Sequence, residues 1–139
     1  MVRSSIRLIV VEDFAPFRQF ICKILAKWPH LQIICEVSDG AEAVQKATAL
    51  KPDLILLDIG LPTLDGIAAA GQIREFAPET KIIFVSQESS PEVVQAAFNS
   101  GARGYVMKTR VASDLLGAVE TVLAGRQFIS SGLIAGGSG

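Results

Sequence analysis

The sequence predicts an α/β domain, a doubly wound parallel sheet of five strands, and three observations carry that expectation. Short apolar runs without polar alternation recur along the chain, as in strands buried on both faces of a parallel sheet. Stretches with the 3.6-residue spacing of amphipathic helices separate them. The composition, 139 residues with 50 % hydrophobic and 19 % charged, suits one domain with a sizeable core and argues against disorder.

The first run is Ile6–Val11. Phe17, Phe20, Ile21, Ile24 and Leu25 then share one face of a helix over about 14–27, stopped by Pro29, and this Phe-rich face reads as core. Trp28 is expected to pack over the end of that helix. Leu31–Val37 is a more mixed strand, and Ala41, Val44 and Ala47 mark a helix over about 40–50, with Pro52 beyond it. Asp53–Asp58 is the third strand, and a third helix is expected over about 63–76, ending before Pro78. Lys81–Ser86 follows as the fourth strand. Ser90, Pro91 and Glu92 read as N-cap, pre-set first turn and dipole-matched acid of a fourth helix that ends near Gly101. Gly104–Met107 is the fifth strand. Leu115, Ala118, Val119 and Val122 mark the fifth helix, closed by Gly125 as a left-handed cap. From Ser130 the residues are small, polar and Gly-rich, which places the domain at 1–129 and a linker or tail at 130–139.

Strands alternating with helices over short connections imply right-handed crossovers with helices on both faces. For five strands the leading arrangement is a flavodoxin-like (βα)5 sheet in the order 2-1-3-4-5, with its site at the carboxyl ends of the strands.

The residues at those carboxyl ends are therefore informative. Strand one ends in Glu12-Asp13, strand three in Asp58 and strand four in Ser86, and Lys108 comes directly after strand five. The 2-1-3-4-5 order brings three carboxylates, a hydroxyl and an amine to one edge. Alone, Asp13 would read as the N-cap of the first helix, Glu12 as a surface acid, Ser86 as a turn residue and Lys108 as a solvated lysine. Together they conflict with a purely structural role, because two carboxylates about 5 Å apart repel by roughly 3 kcal/mol at an effective dielectric of 20. Three need a divalent cation or a strong counter-charge. An oxygen-preferring ion such as Mg²⁺ suits them, whereas Zn²⁺ would want Cys or His, and the single histidine, His30, lies far from these strand ends. An anion that touches both the metal and Lys108 completes the charge balance, so the edge reads as a phosphoryl-transfer site.

Other function classes lack their signatures. Net charge is −1 with both signs mixed along the chain, which leaves no footprint for nucleic acid or a membrane surface. No GxGxxG follows the first strand and no GxxxxGKS/T is present. No apolar run approaches the roughly 20 residues of a membrane span, and the N-terminus has no apolar signal core. A cytoplasmic location is expected, with Cys22 and Cys35 as free buried thiols.

Glu12-Asp13, the stretch LDIGLPTLDG around Asp58, Ser86, and GARGYVMK ending at Lys108 resemble the receiver domain of two-component response regulators, a CheY-like family. GARGYVMK and the later AGRQFIS are most similar to its LuxR-type subfamily. The resemblance covers about residues 6–125 and implies roles position by position. Asp58 would be the phosphoacceptor, fed by a sensor histidine kinase. Asp13, Glu12 partly through water, Asp58 and the Gly60 backbone carbonyl would hold Mg²⁺. Ser86 and Lys108 would contact phosphoryl oxygens, and Tyr105 would rotate as Ser86 shifts. The positions of Gly60 and Glu88 tune phosphoryl loss in the family. Homodimerisation on phosphorylation, and DNA contact only through a helix-turn-helix domain that this chain does not contain, complete the expectation.

Two positions depart from the pattern. Gln87 stands where the family generally has a small residue, and could narrow access to Asp58 or add a hydrogen bond. Thr109 stands where many receivers have Pro in a cis peptide, and a cis bond before a non-proline residue would cost about 3 kcal/mol. A constitutive interaction module would keep the fold without the switch; the complete set Glu12, Asp13, Asp58, Ser86 and Lys108 argues against it, and Gln87 argues weakly for it. An aspartyl-phosphate hydrolase of the haloacid-dehalogenase kind would carry its nucleophile on the first strand with an acid two residues on, where this chain has Asp58 on the third strand and Gly60.

Overall fold

The computed structural model describes residues 5–133 and contains six parallel strands where five were expected. The elements are β1 (Ile6–Val11), α1 (Ala15–Leu25), β2 (Leu31–Val37), α2 (Gly40–Leu50), β3 (Leu54–Leu57), α3 (Gly66–Phe76), β4 (Lys81–Ser86), α4 (Pro91–Asn99), β5 (Gly104–Met107), α5 (Val111–Leu123) and β6 (Phe128–Ile129). The sheet order is β2-β1-β3-β4-β5-β6, so the expected order holds for the first five and β6 extends it past β5. Two residues are too few to register as an apolar run, which is why β6 left no periodic signal.

Alternate residues of the central strands feed two hydrophobic layers, as the two-residue period of a strand requires. Leu8, Val10, Leu54, Leu56, Ile83, Val85 and Val106 pack against Ile21, Ile24 and Leu25 of α1 and against Leu115, Ala118, Val119 and Val122 of α5. Ile9, Val11, Ile55, Leu57, Ile82, Phe84 and Tyr105 face α2, α3 and α4 instead. Fully burying a Leu, Ile or Val side chain contributes about 1.5–3 kcal/mol, so these layers dominate the favourable side of folding.

Several local readings hold, and others change. Ser90 caps α4 by accepting from Val93 N at 3.2 Å, and Gly125, at φ +88°, closes α5. The third helix begins at Gly66, three residues later than expected, because Asp65 is its N-cap and accepts from Ala68 N at 2.9 Å. Thr63, expected inside that helix, sits at φ +69° in the preceding loop. The Phe-rich face of α1 is only partly core: Phe17 packs inward, but Phe20 is 44 % exposed and Phe14, just before the helix, is 62 % exposed. Trp28 does sit beyond the end of α1, stacked on His30 at 5.5 Å. Among the described residues no helix is long and apolar enough to cross a membrane.

The chain after α5 returns to the sheet. Phe128 N donates to Arg103 O and Ser130 N to Tyr105 O, each at 3.0 Å. Ser130, the first residue of the expected tail, is fully buried. Residues 134–139 of that tail lie outside the described residues.

Candidate functional site

Parallel strands end on a common edge, and here the ends of β1, β3, β4 and β5 border one cleft of about 620 Å³. Glu12, Asp13, Asp58, Gly60, Ser86 and Lys108 all line it. The structure therefore brings together every residue the sequence assigned to the phosphate and metal site.

Asp58 follows β3, is 6 % exposed, and is tied to β1 through its own N–H, which donates to Val11 O at 3.2 Å. Its Oδ1 accepts from Ile59 N at 2.7 Å and its Oδ2 from Lys108 Nζ at 3.0 Å. The neighbourhood is tight because Gly66 lies directly beneath: a Cβ there would sit 1.9 Å from Asp58 O. Only a residue without a side chain lets α3 start this close to the strand end.

Glu12 is 1 % exposed. Its Oε2 accepts from Phe14 N at 3.0 Å, while Lys108 Nζ approaches its Oε1 to 2.9 Å as an ion pair. That approach lacks hydrogen-bond alignment, which leaves Oε1 a buried carboxylate oxygen without a hydrogen-bond donor. Burial pushes the Glu12 carboxyl above its usual range, Lys108 and the Phe14 N–H pull it back, and the Asp58 charge pushes it further up. Burial alone would lower Lys108, but the Glu12 and Asp58 carboxylates beside it outweigh burial and hold the ammonium above its ordinary range. The Phe17 ring lies 5.0 Å from Nζ and adds a cation–π contact.

Asp13 is exposed and does not cap α1, whose N-cap position is Phe14 with no side-chain bond. It is free to face the cleft, and ligand oxygens of Glu12, Asp13 and Asp58 lie within 4.8 Å of one another. Three carboxylates against one ammonium leave an excess of two negative charges. That excess and the hard oxygen donors, grouped within 4.8 Å, together fit a Mg²⁺-sized cation.

Ser86, 1 % exposed, accepts from Glu88 N at 3.1 Å. Tyr105 is fully buried, and its hydroxyl donates to Glu88 O at 2.8 Å. Burial pushes the Tyr105 phenol up, with the nearby Ser86 hydroxyl partly countering it. Gln87 and Glu88 also line the cleft and are exposed. Lys108–Arg110 forms a 3-10 turn, and no cis peptide occurs among the described residues.

Sequence reasoning missed several contributors. Arg18 donates to Glu12 O at 2.8 Å and pairs with Glu36 at 3.2 Å, which ties α1 to the ends of β1 and β2. Phe14 and Asp65 line the cleft. Asp65 carried a legible signal, an Asp-Gly before a helical stretch; Arg18 carried none, because its partners lie in other elements.

Comparison with known proteins adds a family match. The profile described as the response regulator receiver domain matches residues 8–120. Among similar proteins, transcriptional regulatory protein DegU of Brevibacillus brevis is 29 % identical over 91 % of this chain and 53 % of its own length. Nitrate/nitrite response regulator protein NarL of Escherichia coli is 29 % identical over 91 % of this chain and 58 % of its own. The chain thus spans little more than half the length of these curated relatives. A crystal structure of a LuxR-family two-component response regulator from Aurantimonas sp. superposes with a TM-score of 0.87 at 29 % identity, covering 92 % of this chain and 91 % of that one.

Proposed function

The chain belongs to the response regulator receiver domain family, and from that premise we propose that it is a phosphorylation-driven switch in which Asp58 accepts a phosphoryl group from a sensor histidine kinase. The observation that carries the reading is the Asp58 carboxylate, nearly buried at a strand end, 3.0 Å from Lys108 Nζ and grouped with Glu12 and Asp13.

An Asp58 carboxylate oxygen attacks the phosphorus of a phosphohistidine; the new O–P bond forms as the P–N bond breaks, and the imidazole nitrogen leaves with the electron pair. Positioning and charge neutralisation supply most of the catalysis in such transfers. Lys108, held near Asp58 with its proton retained, offsets charge on the incoming anion. Glu12, Asp13, Asp58 and the Gly60 carbonyl would hold Mg²⁺, which when bound would neutralise the remaining negative charge on the reacting oxygens. Ser86 and Lys108 then contact the added oxygens. Displacement of Ser86 Oγ from Glu88 N would release the Tyr105–Glu88 bond and so change the surface beside α4. Output through transcription fits the regulators it resembles, with DNA contact reserved to a part of the protein outside this chain, in the cytoplasm.

The test is intact-mass analysis after incubation with acetyl phosphate. We expect one phosphoryl group gained with Mg²⁺, none with chelator, and none in Asp58→Asn. Undiminished labelling of that variant would refute the assignment.

A further inference from the structure

Residues 128–133 form a strap around the free edge of β5. Phe128 packs into the α1–α5 layer and Leu133 into the opposite one. Between them Ser130 is fully buried, and its hydroxyl both accepts and donates. Ser130 Oγ accepts from Met107 N at 3.1 Å and donates to Asp114 Oδ2 at 2.9 Å. Asp114 also accepts from Arg110 Nε at 3.0 Å. Between these anchors lie Lys108 and Thr109: Met107 on one side is fastened to Ser130, and Arg110 on the other is fastened to Asp114. Lys108 Nζ in turn reaches Asp58 and Glu12. A long flexible side chain is placed no better than its backbone, and the backbone N–H of Met107, where this turn begins, is bonded to the strap.

We propose that Ser130 is a positioning residue, and that docking of the 128–133 strap and occupancy of the Asp58 site favour one another through Met107–Arg110. The inference rests on the phosphoacceptor reading. A docked strap holds Lys108 where an anion on Asp58 needs it, and by thermodynamic reciprocity an anion on Asp58 tightens the strap by the same factor. The strap is also where the chain leaves the sheet, so the state of the site is relayed to the exit point.

The test compares wild type with Ser130→Ala and Asp114→Asn, using beryllofluoride with Mg²⁺ as the probe. Affinity is read from NMR shifts of β1 and β3 amides, and strap docking from hydrogen exchange of the Met107 and Ser130 amides. In wild type, beryllofluoride slows exchange of both amides; each variant binds the probe about 5-fold or more weaker, in line with ordinary coupling energies, and loses the slowing. Exchange in β1 and β3 reports whether a variant is folded, and if Ser130→Ala is not, Asp114→Asn decides. Wild-type affinity in a folded variant overturns the coupling alone. A wild type that neither binds the probe nor gains a phosphoryl group refutes the phosphoacceptor reading and the coupling with it.

Discussion

Gly66 approaches Asp58 so closely that a Cβ on it would lie 1.9 Å from the Asp58 carbonyl oxygen and 2.8 Å from the Ile59 Cα. The start of α3 is thereby seated against the backbone that carries the central carboxylate, and Gly66 N donates to Ile59 O at 2.7 Å to hold it there.

Gly66→Ala therefore forces these elements apart. Overpacking of this kind costs about 1–3 kcal/mol, and the contacts here are backbone atoms that cannot rotate away. We expect a lower urea midpoint with an unchanged m-value, together with slower phosphoryl uptake from acetyl phosphate. Gly71, whose Cβ would meet nothing within 4 Å, is the control: its alanine variant should be at least as stable as wild type, since alanine favours a helix interior over glycine by about 1 kcal/mol.

Lys108→Met keeps most of the aliphatic stem and removes the ammonium, with its contact to the Phe17 ring. The three carboxylates lose their internal counter-charge, and an incoming phosphoryl donor loses a cation. We expect acetyl-phosphate labelling to slow by about 10²-fold or more, the scale of losing one preorganised electrostatic contact, with Mg²⁺ binding retained. Labelling at the wild-type rate would show that Lys108 only braces the fold.

Mg²⁺ itself should stabilise the protein. A ligand that binds only the folded state at 100 times its dissociation constant adds about 2.7 kcal/mol. Thermal midpoints should rise with Mg²⁺ and fall back with chelator. Asp13→Asn should shift the response to higher Mg²⁺ without changing the midpoint in chelator much, because exposed Asp13 caps no helix and makes no ion pair among the described residues. An identical Mg²⁺ response in the variant would remove Asp13 from the ligand set.

Cys22 should be a poor nucleophile. Burial, then the Glu36 charge and hydrogen bond, push its thiol from 9.0 up to about 11, with Arg18 only partly opposing. A rise from 9.0 to about 11 cuts the thiolate population at pH 8 by about 100-fold. Iodoacetamide labelling of Cys22 in the native protein should be slower than for an unhindered thiol by that order, and should speed up in Glu36→Gln. Because the folded value lies above the unfolded one, the neutral thiol's contribution to stability is complete below about pH 9 and is lost as pH rises through about 11. Cys22→Ser should therefore flatten the alkaline limb of stability against pH.

Much of this protein was legible residue by residue. Continuous Ile, Leu and Val runs between helical stretches announce a parallel sheet, because burial on both faces removes any reason for polar alternation. The strand order then decides which residues share an edge, so Glu12, Asp13, Asp58, Ser86 and Lys108 could be named before any coordinates. Ser90 and Gly125 were readable because caps are local chemistry.

What only the tertiary structure decided depends on distance in sequence. Phe20 sits at a core-like spacing yet is 44 % exposed, since periodicity marks a helix face and not how much of it the neighbouring elements cover. Asp13 was the local candidate to cap α1, yet the helix starts at Ala15 and the Phe14 N–H goes to Glu12, while the Ser130 hydroxyl beside β6 finds partners on Met107 and Asp114, 23 and 16 positions away. Local propensity encodes which elements form and in what order. Hydrogen bonds and ion pairs between distant residues, which have no signature in any short window, decide how the edge is charged and what covers it.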